Sequence, residues 1–136
     1  MTAFHIDARL AADSLPVAEF PLCSLRLMND RRFPWLLLIP RRAGCSELLD
    51  LQPDDQSLLW TEVLRVSAIL KTLLQPDKLN VAALGNQVAQ LHVHVIARFR
   101  SDEAWPQPVW GLGQAKAWGE TEPALITQIR AALVAA

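Results

Sequence analysis

The chain has 136 residues, 51% of them hydrophobic, and this size and composition fit one domain with an apolar core. Its 13 basic and 14 acidic residues leave a formal net charge of −1. That balance provides no field of one sign to attract a nucleic-acid backbone or an anionic membrane, so neither is expected as a partner. Any anion must be recognised locally, by a few hydrogen-bond donors.

Cysteine usage and hydropathy predict a cytoplasmic protein. Cys23 and Cys45 form neither a disulfide framework nor a zinc-binding spacing, and they suit a reducing compartment. The N-terminal stretch MTAFHIDARLAAD carries charges where a signal peptide has an apolar run. The longest apolar runs, Trp35–Ile39 and Ala131–Ala136, are too short to span a bilayer.

The first half of the chain predicts a β-hairpin and one long helix after an irregular N-terminal arm. Leu22–Met28 and Trp35–Ile39 are predicted strands, joined by turn residues at Asn29–Arg32. The unbroken apolar character of Trp35–Ile39 predicts burial on both faces. The helix opens at Pro53 and ends at Pro76. Its predicted buried stripe is Leu59, Val63, Val66, Leu70 and Leu73.

The second half predicts two more strands and a final helix. Lys78–Leu84 and Val88–Phe99 are predicted strands, and Ser101–Gly119, rich in Trp, Pro and Gly, is predicted to be irregular. The order β-β-α-β-β-α indicates an α+β domain over residues 1–136, with an antiparallel sheet covered by helices. Its motif-bearing core lies at about 20–100, before the Trp/Pro-rich segment and C-terminal helix of 101–136. That helix is predicted to be capped by Thr121 and to bury Leu125, Ile129 and Leu133.

A row of polar side chains marks the last predicted strand. Because side chains alternate across a strand, Gln90, His92 and His94 are expected on one face, ~7 Å apart at nearest. A neutral imidazole is a nucleophile at pH 7, and a protonated one donates to a phosphate oxygen. Two neighbouring imidazoles can therefore divide attack and charge stabilisation between them.

The His-x-His pair alone leaves three interpretations open: ordinary surface or core histidines, a metal site, and a catalytic site. A metal needs further protein ligands. The third histidine, His5, lies in the distant N-terminal arm, and Asp102 or Glu103 would come from beyond the strand end. Metal binding is therefore the weaker functional interpretation.

The order of these segments resembles the histidine triad (HIT) family. Gly85–Ala89 precedes the motif Gln90–Ile96, much as a Gly-Gln-x-Val-type segment precedes His-φ-His-φ-His-φ-φ in the family. Upstream, Ile39–Arg42 and Glu47–Leu51 are similar to the family's strand-Pro-Lys/Arg and x-Asp-Leu stretches. The resemblance covers about residues 20 to 100 and includes the placement of the motif after the long helix.

The resemblance implies a role for each matching residue. His92 matches the histidine that attacks the α-phosphate and forms a nucleotidyl-enzyme intermediate, and His94 matches the last histidine, which contacts the phosphates. Gln87, with Asn86 beside it, falls at a polar phosphate contact. Asn80, on the preceding strand, resembles an asparagine of similar role.

Two further substrate-binding candidates are less closely tied to the motif. Asn29 falls near a position that lines the nucleoside pocket in the family. Arg98, at a strand end, is either a phosphate contact or an ordinary solvated charge.

The resemblance also implies a fold, a substrate class and an assembly. The fold is an antiparallel sheet of about five strands with a long and a C-terminal helix, in a homodimer whose two sheets combine. Substrates are dinucleoside polyphosphates or nucleoside phosphoramidates, with a purine expected. No cofactor and no protein-bound metal are implied; any Mg²⁺ would accompany a polyphosphate substrate.

The sequence departs from the family pattern at the first histidine, which is Gln90 here, and at the proline after the motif, which is Ala97. Glutamine forms hydrogen bonds but does not titrate near pH 7. The nucleophile position is intact, so we favour retained catalysis. The alternatives are a purine-nucleotide binding module made inert by Gln90 and, less favoured, a metal-binding His-x-His protein.

Other tryptophans and arginines have simpler interpretations. Trp35 and Trp60 are expected in the core, and Arg31–Arg32 as solvated turn charges. Trp105 and Trp110 are expected to form a rigid cover over the sheet, with a base-stacking or gating role in the pocket as the alternative.

Overall fold

The computed structural model describes residues 3–135 and contains a five-stranded antiparallel sheet with helices. The helices are α1 (Ala8–Ala12), α2 (Pro53–Leu74) and α3 (Ala124–Ala135), with a 3-10 turn at Leu48–Asp50. The strands are β1 (Ser14–Glu19), β2 (Cys23–Met28), β3 (Trp35–Pro40), β4 (Lys78–Ala82) and β5 (Val93–Arg98). Their spatial order is β1-β2-β3-β5-β4, so the predicted α+β class and antiparallel sheet are confirmed.

Strand β3 lies at the centre of the sheet and is buried along its whole length, as its unbroken apolar sequence predicts. Leu36 and Leu38 belong to the core cluster that includes residues of α2 and α3. Trp35, Leu37 and Ile39 belong to a second cluster on the opposite face, which also includes Leu10 of α1. The sheet is therefore covered on both faces.

Strand β5 divides its side chains between the same two layers. Val93, Val95 and Ala97 pack in the helix-side cluster. His94 and Arg98 alternate with them and are also buried, so they lie in the layer opposite α2. The candidate histidine thus occupies the face that the N-terminal arm and the Trp/Pro-rich segment cover.

The N-terminal arm is not irregular, because it contains α1 and the edge strand β1. Pro16 and a bulge between Pro16 and Ala18 interrupt the alternation of β1, which hides it from periodicity. The predicted strand Val88–Phe99 is also shorter than expected. The Leu91 amide donates to the Cys45 carbonyl at 3.0 Å, so this part of the chain pairs with a loop instead of the sheet.

Three smaller expectations are wrong. Helix α3 begins at Ala124, just after Pro123, so Thr121 does not cap it. Trp60 is 44% exposed on α2, although the apolar Leu58 and Leu59 precede it. Leu73 is also exposed, and Ile69 takes its place in the buried stripe.

Within residues 3–135, no helix combines the length and apolar character needed to cross a membrane.

A buried carboxylate joins α2 to the sheet. Both oxygens of Glu62 accept hydrogen bonds from backbone amides, one from Leu22 at 2.9 Å and one from Cys23 at 2.8 Å. Burial and the adjacent Glu62 raise the pKa of the Cys23 thiol, which keeps it protonated. Glu62 thus provides hydrogen-bond acceptors for the last amide before β2 and for the first amide of β2.

We predict that Glu62→Ala lowers the free energy of unfolding by about 3 kcal/mol, because it leaves two buried amides without acceptors. Urea unfolding followed by circular dichroism measures the loss. Glu120→Ala, at an exposed position, is the matched control and should change little. Equal stability of the two variants would contradict the assigned role.

Candidate active site

A cavity of about 670 Å³ opens on the face of the sheet opposite α2. His92 and His94 line it together with Trp35, Trp110 and the N-terminal arm. Its volume falls in the range of small-molecule sites, about 300–1,000 Å³. The two histidines therefore meet at a space large enough for a nucleotide-sized ligand.

One hydrogen bond determines the tautomer of His92. Its Nδ1 lies 2.6 Å from the backbone carbonyl oxygen of Gln90. A carbonyl oxygen only accepts, so Nδ1 carries the proton. In the neutral ring Nε2 is then unprotonated and keeps its lone pair, which is the form that a nucleophilic histidine needs.

The opposite tautomer is held at His94. Its Nδ1 accepts a hydrogen bond from the indole Nε1–H of Trp35 at 2.9 Å, and an indole only donates. The proton of the neutral ring is therefore on Nε2. Burial, together with the neighbouring His92, lowers the pKa of His94 to about 3. His94 is thus a neutral donor at pH 7.

The two imidazoles lie closer together than a regular strand would place them. Their ring centroids are 4.9 Å apart, at an interplanar angle of 62°. His92 precedes β5 while His94 is within it, which allows the closer approach. The pair presents one ring with a free lone pair beside one ring with an N–H donor.

Gln90 does not line this cavity with the histidines. Its Oε1 accepts from the backbone amide of Asp7 at 2.8 Å, and its Nε2 donates to the carbonyl of His5 at 2.8 Å. The row of three side chains expected from alternation is therefore broken, because Gln90 lies ahead of the strand. The side chain of Gln90 holds the N-terminal arm, and the backbone carbonyl of Gln90 holds His92.

The loop before the motif places Asn86 and Gln87 along the cavity. Gly85 begins this loop with a φ of 79°, a conformation that favours glycine. Both side chains are exposed, and Gln87 accepts a hydrogen bond from Arg9 at 3.3 Å. The structure thus brings these two predicted residues to the histidine pair.

Asn80 and Arg98 do not line the cavity, although Asn80 was expected to contact phosphate. Arg98, expected as a phosphate contact or a solvated charge, is a buried residue instead. Arg98 is only 2% exposed and forms an ion pair with Asp102 at 2.8 Å. It also donates to Asn80 at 2.8 Å and to the Gln107 carbonyl at 2.8 Å. These bonds engage Arg98 and the Asn80 oxygen with the protein, so both residues tie the Trp/Pro-rich segment to the sheet.

Asn29 lies at the cavity, and its Oδ1 accepts from the Trp118 amide at 2.9 Å. The neighbouring Arg32 is not a solvated turn charge as expected. It forms an ion pair with Asp30 at 2.7 Å, and the side chains of the two residues are 7% and 2% exposed. The pair lines the cavity with its charges mutually neutralised.

The two tryptophans Trp105 and Trp110, which were expected to share one role, lie in different places. Trp110 lines the cavity and packs edge-on against His94, with ring centroids 5.1 Å apart. Its Nε1 is buried and has no hydrogen-bond partner among residues 3–135. Trp105 instead lies near Arg98, with the guanidinium carbon 5.8 Å from the centroid of the indole ring. Of the two alternatives, Trp110 reaches the cavity and Trp105 belongs to the cover.

Sequence reasoning missed Trp35 and Arg9 as residues of the site. Trp35 was expected only in the core, and a buried indole N–H that needs an acceptor was the available signal. Arg9 lines the cavity from α1, an element that the sequence did not reveal. Among the described residues, no group of three His, Cys, Asp or Glu side chains is placed to hold a metal ion.

The sheet order, the long helix and the histidine pair at the start of β5 define a class of small α+β proteins. The family model of the HIT domain matches residues 9–101 of this chain. The chain belongs to the histidine triad (HIT) family. Proteins of this family are generally nucleotide-binding hydrolases or transferases.

Solved structures agree over nearly the full chain. A histidine triad protein from Bradyrhizobium japonicum is 42% identical, with 98% of each chain covered and a TM-score of 0.89. One from Sinorhizobium meliloti is 46% identical, with 97% of this chain and 96% of that chain covered and a TM-score of 0.88. One from Marinobacter aquaeolei is 39% identical, with 98% of each covered and a TM-score of 0.94. No curated protein matched the chain.

The lowered pKa of His94 predicts acid sensitivity. Below its ordinary pKa of 6.5, the unfolded chain binds a proton that the folded chain, with a pKa of about 3, does not bind. Stability is therefore lost as the pH falls below 6.5. Between pH 7.5 and 5.0 the wild type should lose about 2 kcal/mol more than His94→Asn.

Urea unfolding at the two pH values measures this difference. His5→Asn controls for the loss of a histidine outside the cavity. An unchanged pH dependence in His94→Asn would show that His94 is not the responsible group.

Proposed function

We propose that this protein is a nucleotidyl hydrolase or transferase in which His92 attacks the α-phosphorus of a nucleotide substrate. The observation that carries the proposal is the hydrogen bond of 2.6 Å from Nδ1 of His92 to the Gln90 carbonyl. In the neutral ring, this bond leaves Nε2 of the cavity-lining imidazole unprotonated and nucleophilic.

The reaction proceeds in two displacements. Nε2 of His92 forms a bond to phosphorus while the bond from phosphorus to the leaving group breaks, and the leaving group takes that electron pair. The substituted imidazole becomes cationic, and the Gln90 carbonyl stabilises it through the Nδ1 proton. Water then attacks phosphorus, the N–P bond breaks, and a nucleoside monophosphate and a proton are released.

His94 complements this chemistry as a neutral donor. Its Nε2–H is retained because Nδ1 is occupied by the Trp35 indole. Since the ring centroids of His92 and His94 are 4.9 Å apart, this N–H can donate to an oxygen of the phosphate under attack. Asn86 and Gln87 line the same cavity and supply further phosphate contacts.

The contact of Gln90 with His92 favours catalysis over an inert binding module. The group that orients His92 is the backbone carbonyl of residue 90, which glutamine and histidine both provide. The replacement therefore keeps the hydrogen bond on which the nucleophile depends. Dinucleoside polyphosphates and nucleoside phosphoramidates are the proposed substrates, with Mg²⁺ accompanying a polyphosphate.

The remaining walls of the cavity suit a nucleoside. Trp110, Val109 and Leu112 form an apolar surface, and Asn29 adds a polar group. We propose a purine nucleoside here.

The two free thiols, Cys23 and Cys45, suit the cytoplasm as the site of action.

His92→Ala should lower kcat by about three orders of magnitude or more, because it removes the nucleophile. The assay measures AMP release from diadenosine tetraphosphate and from adenosine phosphoramidate. Mass spectrometry of rapidly quenched wild-type enzyme should show an adduct of one AMP that His92→Ala lacks. His5→Ala is the control, and an equal rate in wild type and His92→Ala would exclude the mechanism.

The same assays separate the alternatives. Gln90→His should not raise kcat, since the carbonyl and not the side chain orients His92; a gain would show that the missing imidazole limits the rate. AMP binding without any turnover would favour the inert binding module. Stoichiometric metal that is lost in His92→Ala or His94→Ala would favour the metal-binding alternative.

A homodimer with a combined sheet needs one free sheet edge, and we propose that β4 provides it. The other edge, β1, is obstructed because Arg130 of α3 donates to the carbonyls of Val17 at 2.7 Å and Pro16 at 3.3 Å. Val81 on β4 is 41% exposed, and Leu64 on α2 is 66% exposed. A second copy that pairs along β4 would cover apolar surface of this kind.

We predict that Val81→Lys shifts the protein from dimer to monomer, because it places a charge on the pairing edge. Light scattering coupled to size-exclusion chromatography measures the mass. Val134→Lys, on the exposed surface of α3, is the control and should leave the mass unchanged. A monomeric wild type, or an unaffected Val81→Lys dimer, would contradict pairing through β4.

A further inference from the structure

The carboxamide of Gln90 forms a two-point contact with the N-terminal arm. It accepts a hydrogen bond from the Asp7 amide and donates one to the His5 carbonyl, each at 2.8 Å. A carboxamide has a donor and an acceptor side by side, so it binds a stretch of backbone much as another peptide group does. Gln90 therefore anchors the arm where the chain enters α1.

Asp7, one partner of this contact, is also the N-cap of α1. Its side chain accepts from the Arg9 amide at 2.8 Å. In the first turn of α1, Leu10 is buried in the cluster that covers this face of the sheet. The position of α1 is thus defined on one side by Gln90 and on the other by the core.

Arg9 projects from the anchored helix to the cavity. Its guanidinium donates to Oε1 of Gln87 at 3.3 Å, a long bond to a neutral amide. The second arginine at the cavity, Arg32, is instead engaged by the Asp30 carboxylate. Asp13, at the end of α1, also lines the cavity and adds a carboxylate to this wall. Of the two arginines, Arg9 has the weaker contact and can exchange it for a ligand.

We propose that Arg9 binds the phosphate of the nucleotide and that Gln90 is a positioning residue that holds Arg9 at the cavity. The inference rests on the proposed nucleotide-binding function. A guanidinium forms paired, charge-assisted hydrogen bonds to phosphate oxygens, which are stronger than its bond to the Gln87 amide. Gln90 thus acts on the site in two ways. Its backbone carbonyl orients His92, and its side-chain carboxamide positions Arg9 by holding the N-terminal arm.

Isothermal titration calorimetry with AMP and with adenosine tests the role of Arg9. Arg9→Ala should weaken AMP binding about tenfold and leave adenosine binding unchanged, because adenosine has no phosphate. Arg9→Lys should restore part of the AMP affinity. Arg100→Ala removes the same charge from an exposed position and should bind AMP like the wild type.

The double variant tests the role of Gln90. Gln90→Ala should weaken AMP binding, and adding it to Arg9→Ala should cause no further loss, since Gln90 acts through Arg9. Additive losses would overturn the positioning role. Unchanged AMP affinity in Arg9→Ala would overturn the phosphate contact alone, whereas a wild type that binds neither AMP nor adenosine would overturn the proposed function as well.

Discussion

Two hydrogen bonds hold the neighbouring imidazoles of the cavity in opposite tautomers, and the geometry of the candidate site depends on them. A backbone carbonyl accepts the Nδ1 proton of His92, and the Trp35 indole donates to Nδ1 of His94. Neither partner can reverse its role, because a carbonyl has no proton and an indole nitrogen has no free lone pair. The site therefore presents a lone pair and an N–H side by side without needing a charged histidine.

The double coverage of the sheet makes this arrangement possible. Val93 and Val95 fix β5 to the helix-side core, while His94 between them faces the other layer. Burial lowers the pKa of His94 and keeps it neutral. Two buried charge pairs of the same layer, Arg98–Asp102 and Arg32–Asp30, are neutralised within it. These pairs fasten the covering loops, so that the cavity has a defined shape.

Gln90 contributes to the site separately through its backbone and through its side chain. The backbone carbonyl that orients His92 is independent of the side chain, so the side chain is free to take another role. In this protein it contacts the N-terminal arm. The arm brings Arg9 to the cavity. The net charge of the chain, −1, supplies no general attraction for phosphate, so a local cation is needed there.

The sequence by itself determined the α+β class, the long helix and the burial of β3 on both faces, because these follow from local periodicity and spacing. Only the tertiary structure decided which side chains share the cavity. Asn80 and Arg98 look suitable by residue type but pair with each other, whereas Trp35 and Arg9 reach the site through long-range contacts. Residue type specifies which hydrogen bonds a group can form, and packing between distant segments selects the partner that completes them.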